Sequence, residues 1–319
     1  MKKATPSTLK WLKDIVGLGT ILVALVVYFS IRSPNFLTAT NFTAIANQIP
    51  AALLVAVGMT LVLITAGIDL SVGSLVGLSG AVLGLSIDRI GLPLPIAILA
   101  CIATGLFCGM INGLVIVRWA LPPFIVTLGM LEVARGATFL LTETRTIYLG
   151  SKISKIAGLG VANISVLFII AIAAVVLGQL ILSRCTFGRY LIAIGANEQT
   201  AYLSGINTSR IKVSVYALSG LLCAMAAVVN TARMASANPN AGTGFELEAI
   251  AAVVIGGTSL MGGRGSVINS MLGVLFMAIL SSGLSQIGTE EATKRMITGF
   301  VIVLAVILDY YRSRITSKS

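Results

Sequence analysis

The sequence predicts an all-α protein: a polytopic membrane bundle of about ten transmembrane helices with both termini in the cytoplasm. Hydrophobic residues make up 57% of the 319 residues and charged residues only 10%, whereas soluble domains carry roughly 25% charged residues. The mean hydropathy is +1.01, and many apolar segments approach the roughly 20 residues that cross the hydrocarbon core of a bilayer. The polar intervals are too short for a soluble domain, so residues 1–319 are predicted to form one transmembrane domain.

The apolar segments define about ten predicted spans, several of them short for a membrane crossing. A basic segment precedes the first span and no small-residue cleavage site follows it, which favours an uncleaved span over a signal peptide. The spans are residues 15–31, 44–66, 70–87, 93–117, 122–141, 164–182, 213–232, 245–261, 266–287 and 295–309.

The distribution of Lys and Arg predicts the orientation of these spans. When the N-terminus is placed inside and the spans alternate, more basic residues fall on the inner side than on the outer side, as in most membrane proteins. The polar segment 183–212 then faces the cytoplasm, and segment 142–163 is the longest periplasmic loop.

Glycines are dense in the third and fourth spans. Gly73 and Gly77 have GxxxG spacing, and so do Gly105 and Gly109. Small residues at this spacing let helix backbones approach closely in lipid, where hydrophobic burial does not drive association. The pattern therefore favours tight helix packing over a pore lined by exposed backbone.

The fifth and eighth spans carry acidic residues that need a physical explanation. Glu132 and Arg135 lie one turn apart in the fifth span, so we expect them to pair. An unpaired charge at that depth costs on the order of 3 kcal/mol.

Thr243 and Glu246 have the spacing of a capping box that opens the eighth span. The Gly/Ser-rich segment 256–266 that follows this span is similar to 67–74, and the two could form an internal repeat.

Several classes of function are disfavoured by what the sequence lacks. It has no His, and its four Cys include no CxxC pair, so we expect no metal site and no catalytic residue. It has no Gly-Lys dipeptide, which a P-loop requires. The net charge of +11 is spread over the ends of spans rather than over a basic and aromatic patch, so nucleic acid is not an expected partner.

The longest polar interruption, Thr186 to Lys212, contains a predicted short helix at about 197–204. Asn197 is a good N-cap, Glu198 falls in the first turn, and Gly205 is a plausible stop. Such a helix is either an ordinary interfacial connector or a contact surface for a cytoplasmic partner.

Three ordered segments resemble signatures of ribose-type sugar permeases, the membrane subunits of bacterial ABC importers. They are GMTLVLITAGIDLSVGSLVGLSGA (58–81), TFGRYLIAIGANEQTAYLSGIN (186–207) and AGTGFELEAIAAVVIGGTSLMGGRGS (241–266). The resemblance runs from about Pro34 to Asp309. The second segment is similar to the cytoplasmic coupling loop of the family, although it departs from the broader importer pattern EAA-x3-G.

The resemblance implies that this chain passes a monosaccharide such as ribose through the bacterial inner membrane. By motif position, the residues that couple it to the ATPase are Gly195, Asn197, Glu198, Ala201 and Gly205. The implied partners are a cytoplasmic ABC ATPase that binds ATP and Mg²⁺, a periplasmic sugar-binding protein, a second permease copy in a homodimer, and membrane lipid. The chain itself is expected to hold no cofactor and to perform no chemistry on the sugar.

The sugar path is expected to use polar side chains in or beside the spans. The candidates are Asn47, Gln48, Asp69, Asn112 and Asn230. The amides could equally form hydrogen bonds between helices, and Asp69 could instead cap the third span. Glu248, near the predicted outer end of the eighth span, is a candidate contact for the binding protein. A proton- or sodium-coupled secondary transporter of a small polar solute is the alternative function; it needs carboxylates midway through spans, and Glu132 is the candidate.

Overall fold

The computed structural model describes residues 7–161 and 164–317, with side chains described for 17–160 and 164–307. The termini that the sequence places in the cytoplasm, residues 1–6 and 318–319, and residues 162–163 of the predicted periplasmic loop lie outside these ranges. The helices are α1 Ser7–Arg32, α2 Ala39–Gln48, α3 Pro50–Ile64, α4 Val72–Asp88, α5 Leu94–Trp119, α6 Pro123–Thr142, α7 Ser151–Gly158, α8 Val166–Arg184, α9 Thr186–Ala196, α10 Glu198–Leu203, α11 Thr208–Met234, α12 Phe245–Ile255, α13 Val267–Gln286 and α14 Glu291–Ser317.

Two short antiparallel strand pairs complete the described residues. Strands β1 (Ile147–Tyr148) and β4 (Ser236–Ala237) pair with each other, and β2 (Gly160–Val161) pairs with β3 (Ile164–Ser165). Each strand has two residues. The predicted all-α membrane bundle is therefore confirmed.

The helix lengths refine the predicted count of spans. Among the described residues, five helices are long and apolar enough to cross a membrane, namely α5, α6, α8, α11 and α13. Helices α2 and α3 meet at a bend of 46° and together make a sixth candidate. Helix α4 has 17 residues and α12 only 11. Ten is thus an approximate number of membrane-embedded helices, and not all of them are full-length crossings.

The predicted eighth span is the clearest departure. Helix α12 rises only about 16 Å over its 11 residues, about half of the bilayer's hydrocarbon core. A Cβ atom on Gly84 would lie 2.7 Å from Ala237, and one on Gly73 would overlap the Gly242 carbonyl oxygen. The segment between Ala237 and Gly242 therefore lies along α4, and α12 begins beside the N-terminal end of α4. The prediction of one regular span over 245–261 is wrong in length, because α12 ends at Ile255 and the residues before it form turns packed on α4.

The predicted capping box is also wrong in detail. The N-cap of α12 is Gly244, with a φ of +87°. Glu246 Oε1 accepts a hydrogen bond from the Gly244 N–H at 3.2 Å, while the Thr243 hydroxyl donates to the Asn240 carbonyl at 2.8 Å. Hydrogen bonds within the preceding turn have replaced the reciprocal pair that the spacing predicted.

Helix α11 occupies the centre of the bundle and packs against α3, α4 and α5. The contact with α5 is made through glycines: a Cβ on Gly105 would overlap the carbonyl oxygen of Gly220, and one on Gly109 would overlap that of Tyr216. The predicted role of these small residues in close helix packing is confirmed.

Candidate coupling site and passage

The polar segment 183–212 contains two short helices instead of one. The predicted short helix is confirmed as α10, and Asn197 is its N-cap, with Oδ1 accepting a hydrogen bond from the Thr200 N–H at 2.9 Å. Helix α9 was not predicted; it buries Leu191 and Ile194 and precedes α10 with Asn197 as the only intervening residue. Gly205 adopts a φ of +85° directly after α10, a conformation that strains other residues.

The tip of α10 is apolar and exposed. Tyr202 and Leu203 are 66% and 78% exposed, whereas Ala201 is buried at 4%. Glu198 is exposed and forms an ion pair with Lys212 at the start of α11. Tyr202 and Leu203 are therefore the large apolar side chains that α10 offers to a partner, beside the exposed polar residues 197–200. The motif residues have local structural roles: Asn197 caps α10, Ala201 packs beneath it, and Gly205 ends it.

Gly195 faces the membrane domain. A Cβ atom on Gly195 would overlap both the Ile64 carbonyl oxygen and the Gly263 amide nitrogen. The Gly263 N–H donates to that same carbonyl at 2.9 Å, and Gly262 packs against Ala66 and the Gly195 carbonyl. We call the backbone contact among Ile64, Gly195 and Gly263 the glycine junction. It brings together the α9–α10 connection, the α3–α4 turn and the α12–α13 turn.

The glycine junction also locates the two Gly-rich segments that looked alike in the sequence. The turn after α3 and the turn after α12 lie side by side. The Gly263 N–H donates directly to the Ile64 carbonyl, and glycine has no side chain to keep the two backbones apart. Their relation as an internal repeat stays a prediction. Through Gly195, α9 contacts the backbone at the end of α3 and in the turn after α12.

Asp69 lies in a buried polar cluster with Ser71, Asn112 and Ser219. Asp69 is 0% exposed, and Ser71 donates to its Oδ1 through both its N–H (3.0 Å) and its hydroxyl (2.6 Å). The Ser219 hydroxyl of α11 donates to Oδ2 at 2.9 Å. Asn112 Nδ2 of α5 donates to the Ser71 hydroxyl at 2.9 Å.

This cluster corrects the expectation that Asp69 caps the third span. The N-cap of α4 is Ser71, and Asp69 forms a local turn with it while binding the central helix α11. The carboxylate thereby ties the α3–α4 turn to α11, and Asn112 ties it to α5. A buried carboxylate is stable only when hydrogen bonds replace its hydration, and three donors do so here.

The other predicted passage residues lie apart from this cluster. Asn47 Oδ1, at the end of α2, accepts a hydrogen bond from the Ser165 N–H at 3.0 Å. Gln48 is exposed beside the bend between α2 and α3, and Asn230 is half-buried on α11. The five candidates therefore do not converge on one site in this conformation.

Glu248 is exposed in the first turn of α12. Its contact with a binding protein stays a prediction.

Arg135 does not form the predicted ion pair. Its Nη1 donates to the carbonyl oxygens of Pro239 (3.0 Å) and Ala241 (3.1 Å), so it holds the turns that precede α12. Among the described residues, the ion pairs do not include one between Arg135 and Glu132. Helical spacing did suggest the pair, but it carries no information about carbonyl groups that lie more than 100 residues along the chain.

Comparison with known proteins identifies the architecture. Residues 41–306 match the family described as branched-chain amino acid transport system / permease component. The chain belongs to this permease family. It is 39% identical over 311 residues to the ribose import permease protein RbsC of Escherichia coli (strain K12), covering 95% of each chain. It is 42% identical over 296 residues to RbsC of Bacillus subtilis (strain 168), covering 92% of this chain and 91% of the relative.

A relative with a different sugar in its name also covers most of the chain. The fructose import permease protein FrcC of Rhizobium meliloti is 35% identical over 311 residues, which is 95% of this chain and 86% of the relative. No solved structure matches the chain. The permease is thus a multi-pass helical protein related to import permeases.

Proposed function

We propose that this permease is the membrane-spanning subunit of an ABC importer that carries a monosaccharide, ribose or a similar sugar, across the bacterial inner membrane. The support is its similarity to sugar import permeases along nearly the whole chain. The observation that carries the mechanism is the exposed apolar tip of α10, Tyr202 and Leu203, joined through α9 to the glycine junction.

In this proposal the energy comes from a partner. The chain has no Gly-Lys dipeptide and hence no P-loop lysine, so ATP and Mg²⁺ bind to a cytoplasmic ABC ATPase. Closure of the ATPase pushes α10, and α9 transmits the displacement to Ile64 and Gly263. The cargo receives no covalent change, and the chain supplies passage and gating only.

The remaining partners follow from the same proposal. A second copy of the permease completes the passage, lipid surrounds it, and a periplasmic binding protein delivers the sugar near Glu248. Gln48 and Asn230 are proposed to contact the sugar on its way. Asp69, Asn112 and the hydrogen-bonded Asn47 would do so only in a conformation in which the helices around them separate.

The rival proposal, an ion-coupled secondary transporter, has less support. Glu132, the carboxylate that it would use, is a single exposed side chain on α6, and the two oxygen atoms of the buried Asp69 already accept hydrogen bonds from Ser71 and Ser219. The similarity to named import permeases favours the ABC mechanism, in which no proton or sodium ion needs a site.

Reconstitution tests this proposal directly. The permease is placed in liposomes with its ATPase and its binding protein, and radiolabelled ribose is the probe. We expect accumulation that requires ATP and persists when proton and sodium gradients are collapsed. Concentrative uptake by the permease without the ATPase would contradict the proposal, and so would uptake that stops when the ion gradients alone are removed.

A further inference from the structure

Glu132 places an exposed carboxylate at the centre of a transmembrane helix. Helix α6 has 20 residues and Glu132 is the tenth, so either end of the helix is about 15 Å away. The side chain is exposed and lies on one stripe of the helix with Gly129 and Gly136. The buried residues of α6, including Thr127, Ala134 and Thr138, occupy the opposite side.

Lipid is a poor environment for this face. A carboxylate in the middle of a span is strongly disfavoured in hydrocarbon, and such groups are found facing water-filled cavities or the interior of a bundle. The side chain of Glu is too short to reach the polar interface from a position about 15 Å away. Arg135, one turn further on, donates to the carbonyls of Pro239 and Ala241, so it does not form a hydrogen-bonded ion pair with Glu132.

The space around the carboxylate is open. No atom lies within 4 Å of the positions that a Cβ would occupy on Gly129 or Gly136. The two glycines therefore leave shallow gaps on both sides of Glu132, each one or two turns away along the helix. A ring-shaped, hydroxylated molecule can approach the carboxylate over these two glycines, with the exposed apolar side chains of Leu128 and Val133 beside it.

We infer that the stripe Gly129–Glu132–Gly136 of α6 lines a water-filled passage, in which the Glu132 carboxylate accepts hydrogen bonds from the hydroxyl groups of a neutral sugar. This inference rests on the proposed function and adds a specificity residue to it. Hydrogen bonds to a charged acceptor are stronger than neutral ones. The same charge repels anionic solutes, such as sugar phosphates, from the passage.

Cysteine accessibility tests the position of this face. Glu132→Cys is made in a Cys108→Ser, Cys185→Ser background, because Cys101 and Cys223 are buried. Val176→Cys is the matched control, since Val176 is 51% exposed near the middle of α8, where the exposed neighbours such as Leu177 and Leu180 are apolar. In the complete importer we expect a membrane-impermeant thiosulfonate to label Glu132→Cys about tenfold faster than Val176→Cys, because thiolates form in water.

Two outcomes would overturn the inference. One is labelling of Glu132→Cys no faster than that of Val176→Cys, which would place the stripe in lipid. The other is a disulfide between two permease copies through Glu132→Cys with no labelling by the reagent, which would make the stripe a dry contact between copies. Either result leaves ATP-driven ribose uptake by the unaltered importer intact, so failure of the inference is distinguishable from failure of the proposed function.

Uptake by two further variants separates a passage role from a structural one. Glu132→Leu would be neutral or stabilising on a lipid-facing surface, whereas in the passage it removes the hydrogen-bond acceptor. We expect a fall of about tenfold in ribose uptake at low ribose concentration, with ATPase activity and thermal stability kept. Glu132→Gln keeps an acceptor and should recover part of the uptake while admitting anionic sugars more readily. Normal uptake by Glu132→Leu would contradict the inference.

Discussion

The glycine junction and the buried polar cluster both hold the α3–α4 turn, but they do so by different physical means. At the junction, Ile64, Gly195 and Gly263 touch through backbone atoms. In the cluster, Asp69 reaches α11 through a side-chain hydrogen bond to Ser219. Backbone contact at van der Waals distance is stiff, whereas a single side-chain hydrogen bond contributes only about 1 kcal/mol net and can exchange partners.

This difference assigns separate tasks to the two regions. A displacement of α9 must move the turns at the junction, because there is no flexible side chain to absorb it. The polar cluster lies deeper and can rearrange, so helices α4, α5 and α11 can shift relative to one another around Asp69. We therefore expect the junction to transmit motion and the cluster to accommodate it.

The largest effect is expected for Gly195→Ala. The added Cβ overlaps the backbone of Ile64 and Gly263, and overpacking of this kind costs about 1–3 kcal/mol. Ribose uptake by the reconstituted importer should be nearly abolished, while the ATPase continues to hydrolyse ATP. Gly158→Ala is the control, since a Cβ there meets no atom within 4 Å. Equal uptake by the two variants would remove the junction from the coupling route.

The next largest effect is expected for Tyr202→Ala combined with Leu203→Ala. Both side chains are exposed, so the permease should insert and melt as before. Loss of an interface hot spot costs about 2 kcal/mol or more, which is about a thirtyfold weaker association with the ATPase. Binding of the purified ATPase to permease in nanodiscs measures this change. An unchanged affinity would show that α10 is an ordinary connector.

A smaller effect is expected for Ser219→Ala in the polar cluster. The substitution leaves Asp69 Oδ2 without its donor, and an unsatisfied buried acceptor costs about 1–3 kcal/mol. Thermal unfolding should report this loss, while uptake falls only a few-fold because the cluster accommodates motion instead of transmitting it. A loss of uptake as complete as that of Gly195→Ala would erase the distinction between the two regions.

The smallest effect is expected for Glu198→Gln. The carboxylate forms an exposed ion pair with Lys212, and such pairs contribute about 1 kcal/mol or less. Asn197 still caps α10 after the change. Uptake measured at rising salt should stay close to that of the unaltered protein. A severe loss would mean that Glu198 contacts the ATPase directly.

Local patterns predicted the local features well. Asn197 and Gly205 bound α10 because an N-cap and a glycine in a left-handed conformation act on their own neighbours. The glycine spacing on α5 predicted close packing against a neighbouring helix, because small residues on one face let another backbone approach. That neighbour is α11. These predictions did not depend on residues far away in the sequence.

Predictions that depended on partners far along the chain failed or stayed open. Arg135 was expected to pair with Glu132, yet its hydrogen-bond partners are carbonyls of the turns before α12. The apolar composition of 245–261 predicted a regular span, because hydropathy records burial in lipid and burial in protein alike. Helix α12 is short since its preceding segment packs on α4.

The sequence by itself determined that this protein is an all-helical membrane permease with a capped polar helix between two membrane helices, because apolar length, charge and capping are properties of consecutive residues. Only the tertiary structure decided that Gly195 faces Ile64 and Gly263, that Asp69 is tied to α11, and that Glu132 remains exposed at mid-span. The physical reason is that contacts between helices depend on rotation and depth in the bundle, which packing of the whole chain sets.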